Sequence, residues 1–290
     1  MDYRGPGGMT GFFRDMVTDL SYDIGEQALA HYLIARDQGK PLTAIPVFPS
    51  RFFPHLGVSV SKRSGIRGPR DLTGRRIAVP DWGFNPGVWM RGILAHQYQV
   101  PTERIAWFEN DEEPLFRGLS YPRSQRYEIQ RVHVNDDAPA HGFLEHMESG
   151  ALDGVILASG GVPATDSVAK LFEDPYKEIS AYVSQTGVFP INTVITLKRE
   201  IVERHPDFPA RFVAAWNEAN QLYRQEIARG EEQVHMDIEI RRLRELGVFP
   251  ADYGLAANRA AVRLMIQYCY EQGLIRALPE PEELFVAGCE

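Results

Sequence analysis

The chain of 290 residues is poor in cysteine and contains no long hydrophobic run. Its two cysteines, Cys269 and Cys289, are too few for a disulfide framework and are typical of a reduced compartment. No apolar run approaches the roughly 20 residues that a membrane-spanning helix needs, and no charged-then-apolar signal peptide is present. We therefore expect a cytoplasmic protein without a membrane partner, or a periplasmic one if a signal segment lies upstream of Met1.

Blocks of positive charge are lacking as well. The formal net charge is −8, and the arginines between residues 117 and 131 are accompanied by acidic residues. Such a mixture is typical of a solvated loop and not of an anion site. Because nucleic-acid binding usually needs a basic face, we expect no nucleic-acid partner.

Several familiar catalytic signatures are missing. The sequence has no phosphate-binding Gly-x-x-x-x-Gly-Lys, no Gly-x-Ser-x-Gly, no His-Glu-x-x-His and no Cys-x-x-Cys. His133, His141 and His146 lie close in sequence, but the last two are spaced poorly for one helical face. We predict no metal site there and no organic cofactor. The sequence leaves a divalent metal and a homo-oligomer open.

What the chain does contain is an alternation of short apolar runs and helical patterns. This alternation predicts an α/β protein with largely parallel sheets. The candidate strands are residues 41–48, 57–62, 75–80, 104–109, 127–134, 153–159, 179–184 and 192–198. After Arg199 only helical patterns follow, beginning with an apolar stripe from Phe208 to Ile227.

Two stretches have the composition of crossings between lobes. "SGIRGPRDLTGRRIAVP" is rich in glycine and charge before a fresh buried strand, and "VSQTGVFPINTVITLK" supplies a return. We expect lobe 1 to comprise residues 1–68 and 187–290 and lobe 2 residues 69–186. The helical tail would pack on lobe 1, and a ligand cleft would lie between the lobes, beyond the carboxyl ends of the strands.

The loop "FPSRFFPH" follows the first of these strands. Arg51 could bind a carboxylate through two parallel hydrogen bonds, with Ser50 donating a third. Alternatively, Arg51 covers the phenylalanines or pairs with an internal carboxylate. His55 titrates near neutral pH and could transfer a proton, although a buried histidine bonded to a carbonyl is the commoner case.

Three other loops follow strands or strand-like segments. In "DWGFNPGVW", Asn85 before proline suits a helix N-cap, Trp82 and Phe84 could hold a flat ligand, and Trp89 is expected in the core. "ASGGVP" places small residues at a strand end, where glycine permits close approach of a ligand. In the "DIGEQ" loop, Asp23 and Glu26 form either a proton-transfer pair or a helix-start cap.

Taken together, "SYDIGEQALAHYLIARDQGKPLTAIPVFPSRFFPH", "SGIRGPRDLTGRRIAVPDWGFNPGVWMRGIL", "GALDGVILAS" and "TGVFPIN" resemble the 4,5-dihydroxyphthalate decarboxylase family. The likeness covers most of residues 11–200 in order and continues more loosely beyond. "DLTGRRIAVP" and "GALDGVIL" are general to the type II periplasmic-binding-protein fold, which the family shares. "PVFPSRFFPH" and "VPDWGFNPGVWMRGIL" are specific to the decarboxylase-like branch.

The resemblance implies a half-site in each lobe. It points to Ser50, Arg51 and His55 in the first lobe, and to residues 82–85 with Arg91 in the second, where a structural role for Arg91 is equally open. The predicted catalytic residues are His55, Arg51, Asp23 and Glu26. The predicted substrate-binding residues are Ser50, Arg51, Trp82, Gly83, Phe84, Asn85, Ser159, Gly160, Phe189 and Asn192.

The sequence departs from the family's pattern in two places. Family members begin with a strand and a loop some 40 residues upstream of "FFRDM", so we expect the first strand to be missing. A histidine that often follows the Phe-Pro-Ile step is replaced here by Asn192 and Thr193.

Two functions fit these observations. The first is non-oxidative decarboxylation of a hydroxylated aromatic acid, with Arg51 and Ser50 binding a carboxylate and His55 transferring a proton, or Asp23 or Glu26 in its place. Trp82 and Phe84 would hold the ring flat. The second is a non-catalytic solute-binding protein that delivers a small aromatic or heterocyclic acid to a transporter or sensor. In both cases the partner is a small aromatic carboxylate.

Overall fold

The computed structural model describes residues 9–111, 119, 122, 124–134, 139–158, 160–229, 243–248 and 252–289. The helices of these residues are α1 (Met9–Thr18), α2 (Leu29–Asp37), α3 (Asn85–His96), α4 (Pro139–Ser149), α5 (Pro175–Thr186), α6 (Arg199–Arg204), α7 (Phe208–Arg229) and α8 (Leu255–Glu271). The strands are β1 (Ile24–Ala28), β2 (Leu42–Ile45), β3 (Val58–Ser61), β4 (Arg76–Val79), β5 (Ala106–Asn110), β6 (Ile129–Val132), β7 (Gly154–Ile156), β8 (Val168–Lys170) and β9 (Thr193–Lys198). In these residues no helix is long and apolar enough to cross a membrane.

A smaller sheet of three strands has the order β1-β9-β2. Both pairings are antiparallel, with Glu26 opposite Ile195 and Ala44 opposite Thr196. The expectation of largely parallel sheets is therefore wrong for this sheet. Near the C-terminus, Phe285 makes a parallel bridge to Ala44 on the side of β2 away from β9.

A larger sheet of six strands has the order β6-β5-β4-β7-β3-β8. Strands β4, β5, β6 and β7 run parallel, whereas β3 is antiparallel to both of its neighbours. The carboxyl ends of β4, β5, β7 and β8 consequently meet at one edge of this sheet. We call this edge the carboxyl edge.

Seven of the eight predicted strands are confirmed, and residues 179–184 are not. They lie in α5, because Asp174 caps the helix by accepting from Lys177 N at 3.1 Å and Pro175 occupies the first turn. Ile179 and Tyr182, three residues apart, are both buried on one helical face. The β-forming residues of this segment suggested a strand, but the positions that are buried recur with the period of a helix.

The "DIGEQ" segment also differs from expectation. It is strand β1 and not a loop, because its backbone pairs with β9 along the whole of β1, from Ile24 opposite Leu197 to Ala28 opposite Thr193. Residues 168–170 form a short strand that the sequence analysis did not predict.

The C-terminal helix α8 packs on α2 and α3. Gly92 of α3 makes this packing close, since a Cβ there would lie 2.2 Å from the Tyr268 ring. The apolar stripe predicted for α7 is only partly buried. Its Leu222 is 55% exposed, and the helix buries only Pro209 and Val213.

The division into lobes at residues 68/69 and 186/187 remains a proposal. Strand β3 precedes residue 68 but is hydrogen-bonded within the larger sheet. A division drawn by sheet would therefore place the first crossing before Val58.

Candidate functional site

A chain of polar contacts joins the smaller sheet to the loop after β2. The Glu26 Oε1 atom of β1 accepts a hydrogen bond from Thr193 Oγ1 at 2.5 Å, and Thr193 Oγ1 in turn accepts from Ser50 N at 3.0 Å. Glu26 and Ser50 are half-buried, whereas Thr193 is fully buried. The buried Thr193 hydroxyl thus holds the Glu26 carboxyl group near the Ser50 backbone, and both Glu26 and Ser50 remain partly exposed.

The contacts continue through two asparagines. Asn192 Nδ2 lies 3.5 Å from Ser50 Oγ, and Asn192 Oδ1 accepts from Asn85 Nδ2 at 3.2 Å. Asn192 is half-buried and Asn85 is buried. We call Glu26, Ser50, Asn85, Asn192 and Thr193 the polar cluster.

Asn85 was expected to be the N-cap of its own helix, but it is not. Phe84 occupies the N-cap position of α3 without a side-chain bond, and the Asn85 side chain reaches across to other elements. Its Oδ1 accepts from Ala30 N at 2.9 Å, in the first turn of α2, and its Nδ2 donates to Ile191 O at 3.1 Å. The prediction of an N-cap for its own helix is therefore wrong; the side chain instead satisfies a free N–H in the first turn of α2, because the start of that helix lies against it.

The Arg51 side chain bonds to residues outside the polar cluster. Its Nη1 donates to Phe189 O at 3.1 Å and its Nη2 to Asn258 Oδ1 of α8. The guanidinium carbon lies 5.3 Å from the Phe48 ring centroid and 5.8 Å from that of Phe189. Burial lowers the pKa of Arg51 to about 10 against the opposing effects of Tyr253 and Asp252.

His55 lies in an aromatic pocket away from the polar cluster. It is 1% exposed, and its ring centroid lies 5.4 Å from that of Phe172 and 5.7 Å from that of Tyr182. Neither ring nitrogen has a hydrogen-bond partner within the described residues. Burial lowers the pKa of His55 to about 3, so the ring is neutral at physiological pH.

An aromatic stack separates His55 from Arg51. The rings of Phe53 and Phe189 are stacked at 4.8 Å, with Phe189 beside Arg51 and Phe53 beside His55. The two predicted catalytic residues therefore lie on opposite sides of this stack and do not contact each other.

Trp82 is a core residue, which corrects its expected position at a pocket wall. The indole is 0% exposed and donates to Gln272 O at 3.0 Å. The Arg91 guanidinium lies 3.7 Å from its ring centroid and also donates to Trp82 O and to Gln272 Oε1. Arg91 thus has the structural role that was left open. Trp89 is in the core as expected, with Nε1 bonded to Ile191 O.

The remaining predicted residues are dispersed. Gly83 is buried and donates to Asp81 Oδ1, Phe84 is half-buried, and Gly160 is exposed in the loop after β7. Asp23 is exposed at the far end of β1, paired with Lys198 at 3.1 Å. Ser159 lies outside the described residues.

Metal ligands do not gather within the described ranges. In those residues no three His, Cys, Asp or Glu side chains come close enough to hold an ion. The polar cluster itself offers one carboxylate and otherwise hydroxyl and amide groups, which suit hydrogen bonding to an organic acid better than cation binding.

Known proteins resemble the chain over nearly its whole length. It is 30% identical to the 4,5-dihydroxyphthalate decarboxylase of Comamonas testosteroni, in an alignment that covers 94% of this chain and 84% of that protein. The chain belongs to the 4,5-dihydroxyphthalate decarboxylase family. The enzyme of the same name from Pseudomonas putida is also 30% identical to this member of the family, over 53% of the chain and 60% of the enzyme.

The family's fold is confirmed by a solved structure. The periplasmic aliphatic sulphonate binding protein SsuA of Escherichia coli matches with a TM-score of 0.50 and 15% identity, covering 96% of this chain and 84% of that one. This likeness identifies the type II periplasmic-binding-protein fold and nothing finer. No family model matches the chain.

Sequence reasoning missed Thr193. It was seen only as part of a departure from the family's pattern, whereas its hydroxyl connects Glu26 to the Ser50 backbone. The sequence feature that could have identified Thr193 is its position at the start of an apolar strand. A hydroxyl group buried there needs a hydrogen-bond partner.

Proposed function

We propose that the protein is a non-oxidative decarboxylase of a hydroxylated aromatic carboxylic acid similar to 4,5-dihydroxyphthalate. The observation that carries this proposal is the polar cluster in a chain matched almost end to end by an enzyme of that name. The cluster brings together the kinds of group that such a reaction needs, a titratable carboxyl and neutral hydrogen-bond donors.

The chemistry needs one proton and no oxidant. A hydroxyl para to the departing carboxylate supplies electron density to the ring, the ring carbon takes a proton, and the bond to the carboxyl carbon breaks as carbon dioxide leaves. With 4,5-dihydroxyphthalate the product is 3,4-dihydroxybenzoate. The protein therefore has to bind the acid, deliver a proton and stabilise the charge that develops in the ring.

Within the polar cluster we assign proton transfer to Glu26. It is the one carboxyl group in this cluster, its Oε1 is fixed by Thr193, and its partial exposure allows exchange of the proton with solvent. This assignment replaces His55, whose buried ring nitrogens have no hydrogen-bond partner within the described residues through which a proton could pass.

Substrate binding is assigned to Ser50 and Asn192, whose hydroxyl and amide groups are half-buried and adjacent. The guanidinium of Arg51, directed to Asn258 and Phe189, adds positive potential behind Ser50. Phe84, half-buried at the start of α3, is the aromatic residue of its loop that remains available to a ring.

The test is to incubate the purified protein with 4,5-dihydroxyphthalate and to measure carbon dioxide and 3,4-dihydroxybenzoate. We expect both to appear in equal amounts. Binding in calorimetry without either product would reject the decarboxylase for this substrate and favour the alternative of a solute-binding protein, which the fold also suits. No binding and no product would reject both for this ligand.

The cellular location and assembly remain proposals too. Cys269 and Cys289 are both free and buried, which fits the cytoplasm; the periplasm is the alternative. Sedimentation of the purified protein would measure whether it forms a homo-oligomer.

A further inference from the structure

Lys170 ends strand β8 at the carboxyl edge of the larger sheet, opposite Ser59 of β3. In open α/β sheets, ligands bind beyond this edge. The polar cluster adjoins the same edge, because Asn85 follows the carboxyl end of β4 and bonds to Asn192. The loop that begins at Ser50 also returns to this edge, where Gly57 O accepts from Leu157 N at 3.0 Å.

The contacts of the Lys170 ammonium are all with neutral oxygens. It donates to Val162 O at 2.8 Å and to Gly160 O, and lies 3.4 Å from Ser59 Oγ. Within the described part of the chain no carboxylate pairs with it. The side chain is half-buried, and burial lowers the pKa of Lys170 below its ordinary value. A half-buried cation without a counter-ion is one that an anionic ligand would stabilise.

The loop beneath this cation is held in place. Ser59 Oγ donates to Val162 O at 3.0 Å and accepts from Val162 N at 3.1 Å. Gly161 has a positive φ of 54°, and a Cβ there would lie 2.7 Å from Gly57 O, so the loop packs tightly on the start of β3. Gly160, by contrast, has no atom within 4 Å of an added Cβ. A ligand could therefore approach the Gly160 backbone beside a fixed ammonium.

We propose that Lys170, with the backbone N–H of Gly160, binds the carboxylate that a phthalate-like substrate keeps through the reaction. This inference rests on the proposed function. A 1,2-dicarboxylate loses one carboxylate as carbon dioxide and retains the other, which must be neutralised throughout. Ser50 and Asn192 of the polar cluster are uncharged, so a second, cationic half-site would select dicarboxylates over monocarboxylates.

The decisive variant is Lys170→Met, which keeps most of the length of the unbranched side chain and removes the charge. We expect KM for 4,5-dihydroxyphthalate to rise about tenfold with kcat within about threefold, because a binding interaction is lost. The preference for phthalate over benzoate, measured by calorimetry, should fall about tenfold. Lys170→Arg should keep most of that preference because it keeps the charge.

Lys62→Met is the matched control. The Lys62 ammonium also binds a carbonyl, Thr165 O at 2.7 Å, but it is exposed at the opposite edge of the same sheet. It should leave the phthalate preference unchanged. An equal loss in both variants would reduce the effect to overall charge and overturn the proposal.

Failure of this proposal is distinguishable from failure of the function. If the unmodified protein releases carbon dioxide while Lys170→Met keeps the same phthalate preference, Lys170 is excluded and the decarboxylase remains. If the unmodified protein neither binds phthalate nor releases carbon dioxide, both proposals fall. Should Lys170→Met fold poorly in circular dichroism, a Lys170→Arg variant with an unchanged preference supports the proposal, and one without the preference opposes it.

Discussion

The two ends of the loop from Ser50 to Gly57 contrast sharply in environment. Ser50 is half-buried and bonded, through Thr193, to a carboxyl group. His55 is buried among aromatic rings with no polar partner within the described residues. By residue type His55 is the better acid–base group near neutral pH, yet burial lowers its pKa to about 3, which is why we propose Glu26 for proton transfer. The contrast teaches that residue type alone does not identify the acid–base group, because the hydrogen bonds and burial around each side chain differ so much between the two ends.

The strongest way to test this contrast is Glu26→Gln. We expect kcat for 4,5-dihydroxyphthalate to fall about 100-fold or more, because general acid–base groups contribute roughly that much, while ligand binding changes less. Carbon dioxide release and calorimetry on the same preparation would measure both. Asp23→Asn is the control, since Asp23 is exposed and paired with Lys198, and it should stay within about twofold. Equal losses in the two variants would contradict the assignment.

The other end of the loop is tested by His55→Phe, which we expect to affect stability and not catalysis. Turnover should stay within about threefold, because a neutral, unpartnered ring is replaced by an apolar one. A 100-fold loss of turnover with normal ligand binding would restore His55 as the catalytic group.

The pH dependence of stability follows from the same substitution. Well above pH 6.5, the ordinary pKa, His55 is neutral in both the folded and the unfolded chain. As the pH falls from 6.5 towards 3, only the unfolded chain takes up the proton, so stability is lost. Between pH 7.5 and 5 this amounts to about 2 kcal/mol, which His55→Phe should remove. Urea unfolding at both pH values would measure it, and parallel profiles for the two proteins would refute it. His31, whose pKa burial also lowers to about 3, keeps its own share in both proteins.

The last prediction tests the hydrogen bond between Thr193 and Glu26 within the polar cluster. Thr193→Val keeps the shape of the side chain and removes the hydroxyl that holds Glu26 and the Ser50 backbone. We expect kcat to fall about tenfold, in line with one charge-assisted hydrogen bond. Thr196→Val, in the same strand, loses a hydrogen bond to Gly25 O that does not involve Glu26. Thr196→Val should lower the melting temperature but leave kcat unchanged. If kcat falls about tenfold in Thr196→Val as well, the loss in Thr193→Val reflects reduced stability and not the bond to Glu26.

Much of the fold could be predicted because burial leaves a periodic trace in the sequence. Runs such as 75–80 and 192–198 are apolar over the length of a strand and are strands. Residues 179–184 misled because a buried helical face can also be short, apolar and rich in β-formers. Strand β1 was missed because its residues are largely polar or small and its pairing depends on β9, about 170 residues later.

The candidate site was predictable in its parts but not in its assembly. Glu26, Ser50 and Asn85 were named from their positions after strands or strand-like segments, and Asn192 from the family resemblance. Which of them touch depends on contacts between distant segments, and such contacts leave no local pattern. Trp82 shows the reverse error, because a tryptophan in a loop before a helix was expected at a pocket and instead anchors Arg91 in the core.

Asn85 has a mechanical consequence. Through one amide group it holds the first turn of α2, the backbone at Ile191 and the side chain of Asn192, while it is itself the first residue of α3. Two helix starts and the entry to β9 are therefore fastened at a single point. Separating these three elements would require all three hydrogen bonds to break together, so we expect the starts of α2 and α3 and the entry to β9 to move as one unit.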